Sequence, residues 1–235
     1  MFVIVRKPHQ KYFEVDAVTF DDFGTLRFSV SREDIIYPIL RELGKRIHLD
    51  KDKFLEEYFK MDAYYHKKLQ ETLKESLLDD LIIDVLKAFG LKSQMIKSDV
   101  RKAVDKGLAT RRTKWYEDAP NTLSLLRKRG YKLGLVSNTH WRYPESFRNE
   151  VQKIFDVITL SYEHGHAKPH PSIFLVTLKK LQLLPNRCLH VGDDPIADIE
   201  GAKDVGMKTA FIKRKPRRAK ADINVKELNQ LLEFL

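Results

Sequence analysis

The 235-residue chain predicts an α/β fold: a mostly parallel sheet with helices on both faces, interrupted by one all-helical insertion. Three observations predict it. Short apolar runs rich in β-branched residues alternate with helical patterns through the second half of the chain. Helix-period spacing fills the roughly one hundred residues between the first buried strand and the next. Every segment able to carry chemistry sits at or just beyond the C-terminal end of a strand candidate, where open parallel sheets bind ligands.

Taken in order, residues 2–5 read as an extra edge strand, and 16–20 (DAVTF) as a short buried strand that ends in Asp21-Asp22-Phe23-Gly24-Thr25. Ser31 with Asp34 forms an N-terminal capping signature for a first helix carrying Ile36, Ile39, Leu40, Leu43 and Ile47. Phe54, Tyr58, Met61 and Tyr65 mark a second helix. Leu78, Leu81, Ile82, Val85, Leu86 and Phe89 mark a third, stopped by Gly90, and Val100, Val104 and Leu108 a fourth. A helix over 122–129 then ends at Gly130. Strands are expected at 132–136, 156–160, 187–191 and 208–212, with helices near 171–182, 196–205 and 225–233. The expected division is a core of 1–26 and 116–235 with an inserted helical subdomain over 27–115.

Bulk composition narrows the function classes. An apolar fraction of 43% is enough to bury a core, which excludes wholesale disorder. No apolar run approaches the ~20 residues of a membrane-spanning helix, and the opening segment lacks a signal-peptide core, so no membrane partner is expected. Cys188 is the only cysteine; an internal disulfide is impossible, and a reducing cytoplasm is the expected home. The net charge is +10, and the densest basic run, Lys213 to Lys220, is read as a solvated loop, because no zinc-finger spacing, aromatic RNA-binding signature or helix-turn-helix pattern supports nucleic acid. The sequence leaves a homodimer open.

Four segments carry candidate chemistry. Asp21, at a strand end before a Gly-Thr turn, projects a carboxylate able to attack an electrophile; Gly24 lets the backbone turn closely, and Thr25 is placed to orient the nucleophile. Ser137 and Asn138 offer a hydroxyl and an amide for a phosphoryl oxygen, although Ser-Asn is also ordinary turn chemistry. Lys168, in a loop with two prolines behind it, can neutralise a nucleophile and a transferring phosphoryl group. Asp193, Asp194 and Asp198 crowd oxygen ligands beside a strand end, a donor set that suits Mg²⁺.

In order and spacing, FDDFGTL, LVSN, AKPHPSIF and HVGDDPIADIEGAKDVGM resemble the haloacid dehalogenase superfamily, and the resemblance covers the chain if 27–115 is its helical cap. It implies a Rossmann-like core, Asp21 as covalent nucleophile, and Mg²⁺ held by Asp21, the Phe23 carbonyl and Asp193, with Asp198 joining the metal set or steadying Lys168. It also implies that Asp22, Phe23, Thr25, Ser137, Asn138 and Lys168 surround the phosphoryl group of a small phosphorylated substrate such as phosphoserine, phosphoglycolate or a sugar phosphate. The role of Asp194 is open.

One position departs from the family's phosphatases, which place an acid two residues after the nucleophile. Here it is Phe23. General acid–base help is worth ~10²–10⁴-fold, so the departure matters. The family's dehalogenases carry an aromatic residue there, but they need no Mg²⁺ and lack the GDD pattern. The acidic set decides for a Mg²⁺-dependent phosphomonoesterase, because carboxylates crowded around Asp21 repel one another without a cation. A 2-haloacid dehalogenase and a phosphate-binding protein without catalysis remain the alternatives. His140, His164, His166 and His170 lie in the motif loops and titrate near neutrality, but each alone reads first as a surface or structural histidine; zinc at His164 and His166 has little support.

Overall fold

The computed structural model describes residues 13–30, 33–45, 48–74, 78–90, 93–110, 112–139 and 143–235. The expected edge strand at 2–5, the cap residue Ser31, Ile47 and His140 lie outside them. Six parallel strands form the core sheet in the order β5-β4-β1-β6-β7-β8. They are β1 Ala17–Phe20, β4 Lys132–Ser137, β5 Val157–Leu160, β6 Cys188–Gly192, β7 Lys208–Ile212 and β8 Ile223–Val225.

Strand β1 is buried at all four positions, which explains why AVTF shows no polar alternation. Val18 and Phe20 enter the core on one face, with Leu123 and Leu126 of helix α5 (Asp118–Lys128) and with Leu228 and Leu231. Ala17 enters the other, with Ile173, Phe174 and Leu178 of helix α8 (Pro171–Leu181). Thr19 faces Gly134 across the β1–β4 ladder, and a Cβ on Gly134 would lie 2.7 Å from Thr19 Cγ2. The central strands can pack this closely only because that residue is glycine.

The helix expected at 225–233 is instead strand β8 followed by a 3-10 turn, Leu228–Glu233. Leu228 and Leu231 are buried three residues apart, a spacing that α and 3-10 geometry share, and Ile223 and Val225 alternate as a strand requires. The helix expected at 196–205 begins as a π-helical turn, Pro195–Glu200, and continues as helix α9, Gly201–Asp204. Helices α6 (Glu145–Ile154) and α7 (Ser161–His164) were not anticipated.

Between β1 and α5 lie helices α1 (Glu33–Gly44), α2 (Lys51–Thr72), α3 (Leu78–Ala88) and α4 (Ser93–Ala109). They bury a core of their own, in which Ile39, Leu43, Phe54, Ile82, Leu86 and Val100 meet. The chain enters and leaves this helical set through an antiparallel ribbon the sequence did not signal: β2 (Arg27–Ser29) paired with β3 (Thr113–Trp115). At its far side, the turn after α2 touches the core, where the Ala167 N–H donates to Leu73 O at 2.9 Å. Among the described residues no helix is long and apolar enough to cross a membrane.

Candidate active site

Strand β1 has β4 on one side and β6 on the other, so the C-terminal ends of three neighbouring strands converge. Asp21 leaves β1, Ser137 ends β4 and Asp193 follows β6. The Asp21 N–H continues the β1–β6 ladder by donating to Val191 O at 2.9 Å. The chain then turns sharply: Asp22 O accepts from the N–H groups of Leu26 at 2.8 Å and Arg27 at 3.0 Å. Gly24 sits at φ +100°, and a Cβ there would lie 2.5 Å from Asp193 Oδ1. Glycine thus serves both the left-handed turn and the approach of Asp193.

Lys168 is buried, and its ammonium donates to three acceptors: Asp21 Oδ1 at 2.7 Å, Asp198 Oδ1 at 2.6 Å and Val136 O at 2.7 Å. These use all three of its N–H bonds. Asn138 bonds the Lys168 backbone reciprocally, its Oδ1 accepting from Lys168 N at 2.7 Å and its Nδ2 donating to Lys168 O at 2.8 Å. The Asn138 carboxamide thus anchors the lysine loop and keeps one Nδ2–H beyond that pairing.

Electrostatics differ sharply between the two carboxylates that share Lys168. Burial raises Asp21 to about 8 against the pull of Lys168, with Asp198 and Asp193 adding repulsion. Burial also works against an ionised Asp198, but Lys168 and His190 outweigh it and hold that carboxyl well below the usual range. The reason is the number of donors. Asp198 also receives the Asp194 N–H at 2.9 Å and faces His190 Nε2 at 3.3 Å. Burial would depress Lys168, yet its two aspartates raise it further, so it remains a cation.

Asp21, Asp193 and Asp198 each bring a carboxylate oxygen within 4.8 Å of the others, the only such group of metal-capable side chains among the described residues. An all-oxygen set fits Mg²⁺ rather than a softer ion. Glycine again makes the room, because a Cβ on Gly192 would lie 2.2 Å from Asp198. Asp194 faces elsewhere: its Oδ1 accepts from the N–H groups of Ile196 and Ala197, capping the π turn, and its Oδ2 pairs with Arg217 at 2.9 Å.

Three further placements differ from the sequence reading. The Asp22 carboxylate, counted with the phosphoryl-binding group, is fully buried against Arg27 and Tyr143, which leaves only its backbone to face an anion. Thr25 Oγ1 is buried without a hydrogen-bond partner, so it does not hold Asp21. The basic run is only partly a solvated loop. Arg214 lies over the Tyr116 ring and bonds Thr25 O at 3.2 Å and Asp118 at 2.6 Å, while Lys215 stands 3.6 Å from Asp193. His164 and His170 both bond Ser172 Oγ at 2.7 Å, and His166 stacks on His170 at 4.2 Å.

His190 was missed. It lies fully buried between Thr19 Oγ1 at 2.9 Å and Asp198, and burial lowers its basicity so that it stays neutral. Its only sequence signal was a polar residue in an apolar strand. Phe23 packs toward Phe147 and, with Tyr143 and Val30, walls a cavity of about 500 Å³ that also includes Arg112 and Glu150.

The arrangement can supply an aspartate nucleophile, a fixed cation beside it and an oxygen-ligand metal site. A family model described as a hydrolase, haloacid dehalogenase-like, matches residues 15–206. The glyceraldehyde 3-phosphate phosphatase of Pyrococcus furiosus is 37% identical over 127 residues, 50% of this chain and 52% of that protein. The phosphoglycolate phosphatase of Aquifex aeolicus is 38% identical over 101 residues, 42% of this chain and 47% of that one. The chain thus spans about half the length of the curated relatives it matches. Among solved structures, a HAD phosphatase from Thermococcus onnurineus aligns over 92% of this chain and 96% of its own, with TM-score 0.60 and 27% identity. A 2-haloacid dehalogenase from Pseudomonas syringae aligns over 94% and 97%, with TM-score 0.72 and 22% identity, a likeness of fold.

Proposed function

Since the chain belongs to the haloacid dehalogenase-like hydrolase family, we propose that it is a Mg²⁺-dependent phosphomonoesterase acting on a small phosphorylated metabolite through Asp21. The observation that carries this reading is the oxygen cluster of Asp21, Asp193 and Asp198 around the buried Lys168. A halide-displacing enzyme has no need of a metal-binding set of three carboxylates. The names of the two relatives given above, glyceraldehyde 3-phosphate phosphatase and phosphoglycolate phosphatase, support this reading.

Asp21 and Asp193, with the Phe23 backbone carbonyl, would hold Mg²⁺, which when bound supplies positive charge that lowers the cost of ionising Asp21 and offsets charge on the phosphoryl oxygens. Asp21 attacks phosphorus, the ester P–O bond breaks, and the aspartyl phosphate is then opened by water. Lys168 stays protonated and neutralises the reacting oxygens; Asp198, with both oxygens already engaged, aims it, and Asn138 holds its backbone. Ser137 Oγ, buried at the end of β4, takes a phosphoryl oxygen.

Phe23 offers no proton to the departing alkoxide. Turnover is therefore expected to depend steeply on leaving-group acidity, with 4-nitrophenyl phosphate hydrolysed much faster than an alkyl phosphate. Phe23→Asp should raise alkyl phosphate kcat/KM by at most ~10²–10⁴-fold, less if the lost ring leaves a void. Excess EDTA should stop both reactions. A second reading, a 2-haloacid dehalogenase, is favoured by Phe23 alone. Full turnover of 2-chloropropionate in EDTA, with no phosphate ester touched, would replace the phosphatase reading by that one.

A further inference from the structure

Between the helical insertion and helix α6 lies a cavity of about 500 Å³ that the chemistry above does not use. Phe23, Tyr143 and Phe147 give it an aromatic wall, and Leu108, from the end of α4, adds an apolar one. The Phe147 ring meets Tyr143 edge-on with centroids 4.5 Å apart, and it lies 6.5 Å from the Phe23 ring at an angle of 27°. Phe23 and Phe147 are only half-buried. The cavity abuts the nucleophile loop through two of its walls: Phe23 is the second residue after Asp21, and Tyr143 donates to the Asp22 carboxylate.

Concave apolar surface beside a reacting group suits a ligand group of like chemistry. Phe23 occupies the position from which a departing alkoxide would take its proton, so this wall faces the part of the substrate that leaves. Two kinds of phosphate compound part from phosphorus without that proton. In an acyl phosphate the departing charge spreads over a carboxylate, and in an aryl phosphate over a ring. The aromatic wall decides between them. A carboxylate is polar and gains nothing from it, whereas a phenolic ring packs against the faces and edges of other rings. Benzene fills a cavity of ~150 Å³, so about 500 Å³ admits a substituted ring or two fused rings.

We infer that the substrate is an aryl phosphate whose ring lies in this cavity, against Phe23 and Phe147, while its phosphoryl group meets Asp21. This substrate class rests on the phosphatase reading and narrows it. An Asp21 carboxylate oxygen bonds to phosphorus and the P–O bond to the aryl oxygen breaks. That oxygen leaves with the bonding pair as an aryloxide, which takes a proton from water after departure. Water then opens the aspartyl phosphate, as above. Phe23 thus contacts the substrate as an apolar wall at the place where hydrolysis of an alkyl ester calls for an acid.

Leaving-group acidity by itself also favours an aryl ester, so the test separates ring from acidity. Phenyl phosphate is compared with acetyl phosphate, which expels a weaker base and has no ring, each with Mg²⁺ and with kcat and KM read separately. Ala109 and Ser146 are exposed small residues on the cavity wall, and Ala109→Trp or Ser146→Trp fills the cavity from α4 or from α6. Each variant is expected to raise KM for phenyl phosphate about tenfold and to leave acetyl phosphate turnover at the wild-type level. A thermal scan checks the folding of both. A second measurement needs no variant: benzylphosphonate, which cannot be hydrolysed, should inhibit the wild-type protein about tenfold more tightly than methylphosphonate. Variants that slow both substrates alike or leave phenyl phosphate untouched, or a benzylphosphonate no tighter than methylphosphonate, would overturn the aryl class while leaving the phosphatase reading intact. A wild-type protein that hydrolyses neither substrate with Mg²⁺ would overturn the phosphatase reading itself, and this inference with it.

Discussion

Asp21→Asn is expected to cut phosphate-ester turnover by about 10⁴–10⁶-fold, the scale on which loss of a covalent nucleophile is felt. The amide has nearly the volume of the carboxyl but no lone pair basic enough to attack phosphorus. The fold should survive without loss, and the sign of the stability change follows from electrostatics. Burial holds the Asp21 carboxyl near 8 in the metal-free protein, far above its unfolded value. Ionised Asp21 therefore opposes folding increasingly as pH rises from the unfolded pKa toward 8. Asparagine removes that opposition, and Lys168 retains Asp198 and Val136 O as acceptors. At neutral pH the metal-free variant should melt no lower than wild type. A sample with most of its activity left would take Asp21 out of the mechanism; one that melts far lower would show that Asp21 is folded in as a structural anion.

Lys168→Met should damage both activity and stability. Lys168 lies between Asp21 and Asp198, both within 2.7 Å, and its side chain is 2% exposed. Removing one partner of a buried charge cluster typically costs ~3–5 kcal/mol, because the remaining charges are left uncompensated. Loss of the cation beside the transferring phosphoryl group should lower kcat by ~10²–10³-fold, comparable to deleting one preorganised electrostatic contact. The two effects separate with Mg²⁺. Saturating Mg²⁺ should recover part of the melting temperature, since an ion bound only by the folded state stabilises it, while kcat stays low. Melting temperatures with and without Mg²⁺, beside steady-state kinetics, make the comparison. A variant with wild-type kcat would mean that Lys168 is structural only.

The site and its supports differed in how readily the chain revealed them. Asp21, Lys168 and Asp193 were legible because each sits in a short ordered motif at a strand end, and parallel sheets bring such ends together whatever the intervening sequence. Gly24 was legible as a turn, but not as the gap that admits Asp193. Asn138, Asp22 and the basic run were read by residue type alone. Type says what a side chain is able to bond, while its actual partners come from elements far away in sequence: Asn138 from residue 168, Asp22 from Tyr143, Lys215 from Asp193. His190 carried no motif at all, because its role is set by Thr19 and Asp198, which neither precede nor follow it at any diagnostic spacing.

By itself, the sequence determined the α/β class, the helical insertion and the strand ends where chemistry gathers. Hydrophobic period and strand–helix alternation are local properties of a chain, and burial enforces them residue by residue. Only the tertiary structure decided which of the two aspartates beside Lys168 is held ionised, which polar side chains are spent holding the loop, and where the final apolar residues become strand β8 instead of helix. Those outcomes depend on desolvation and on hydrogen-bond partners that arrive from distant parts of the chain, and neither has a local signature.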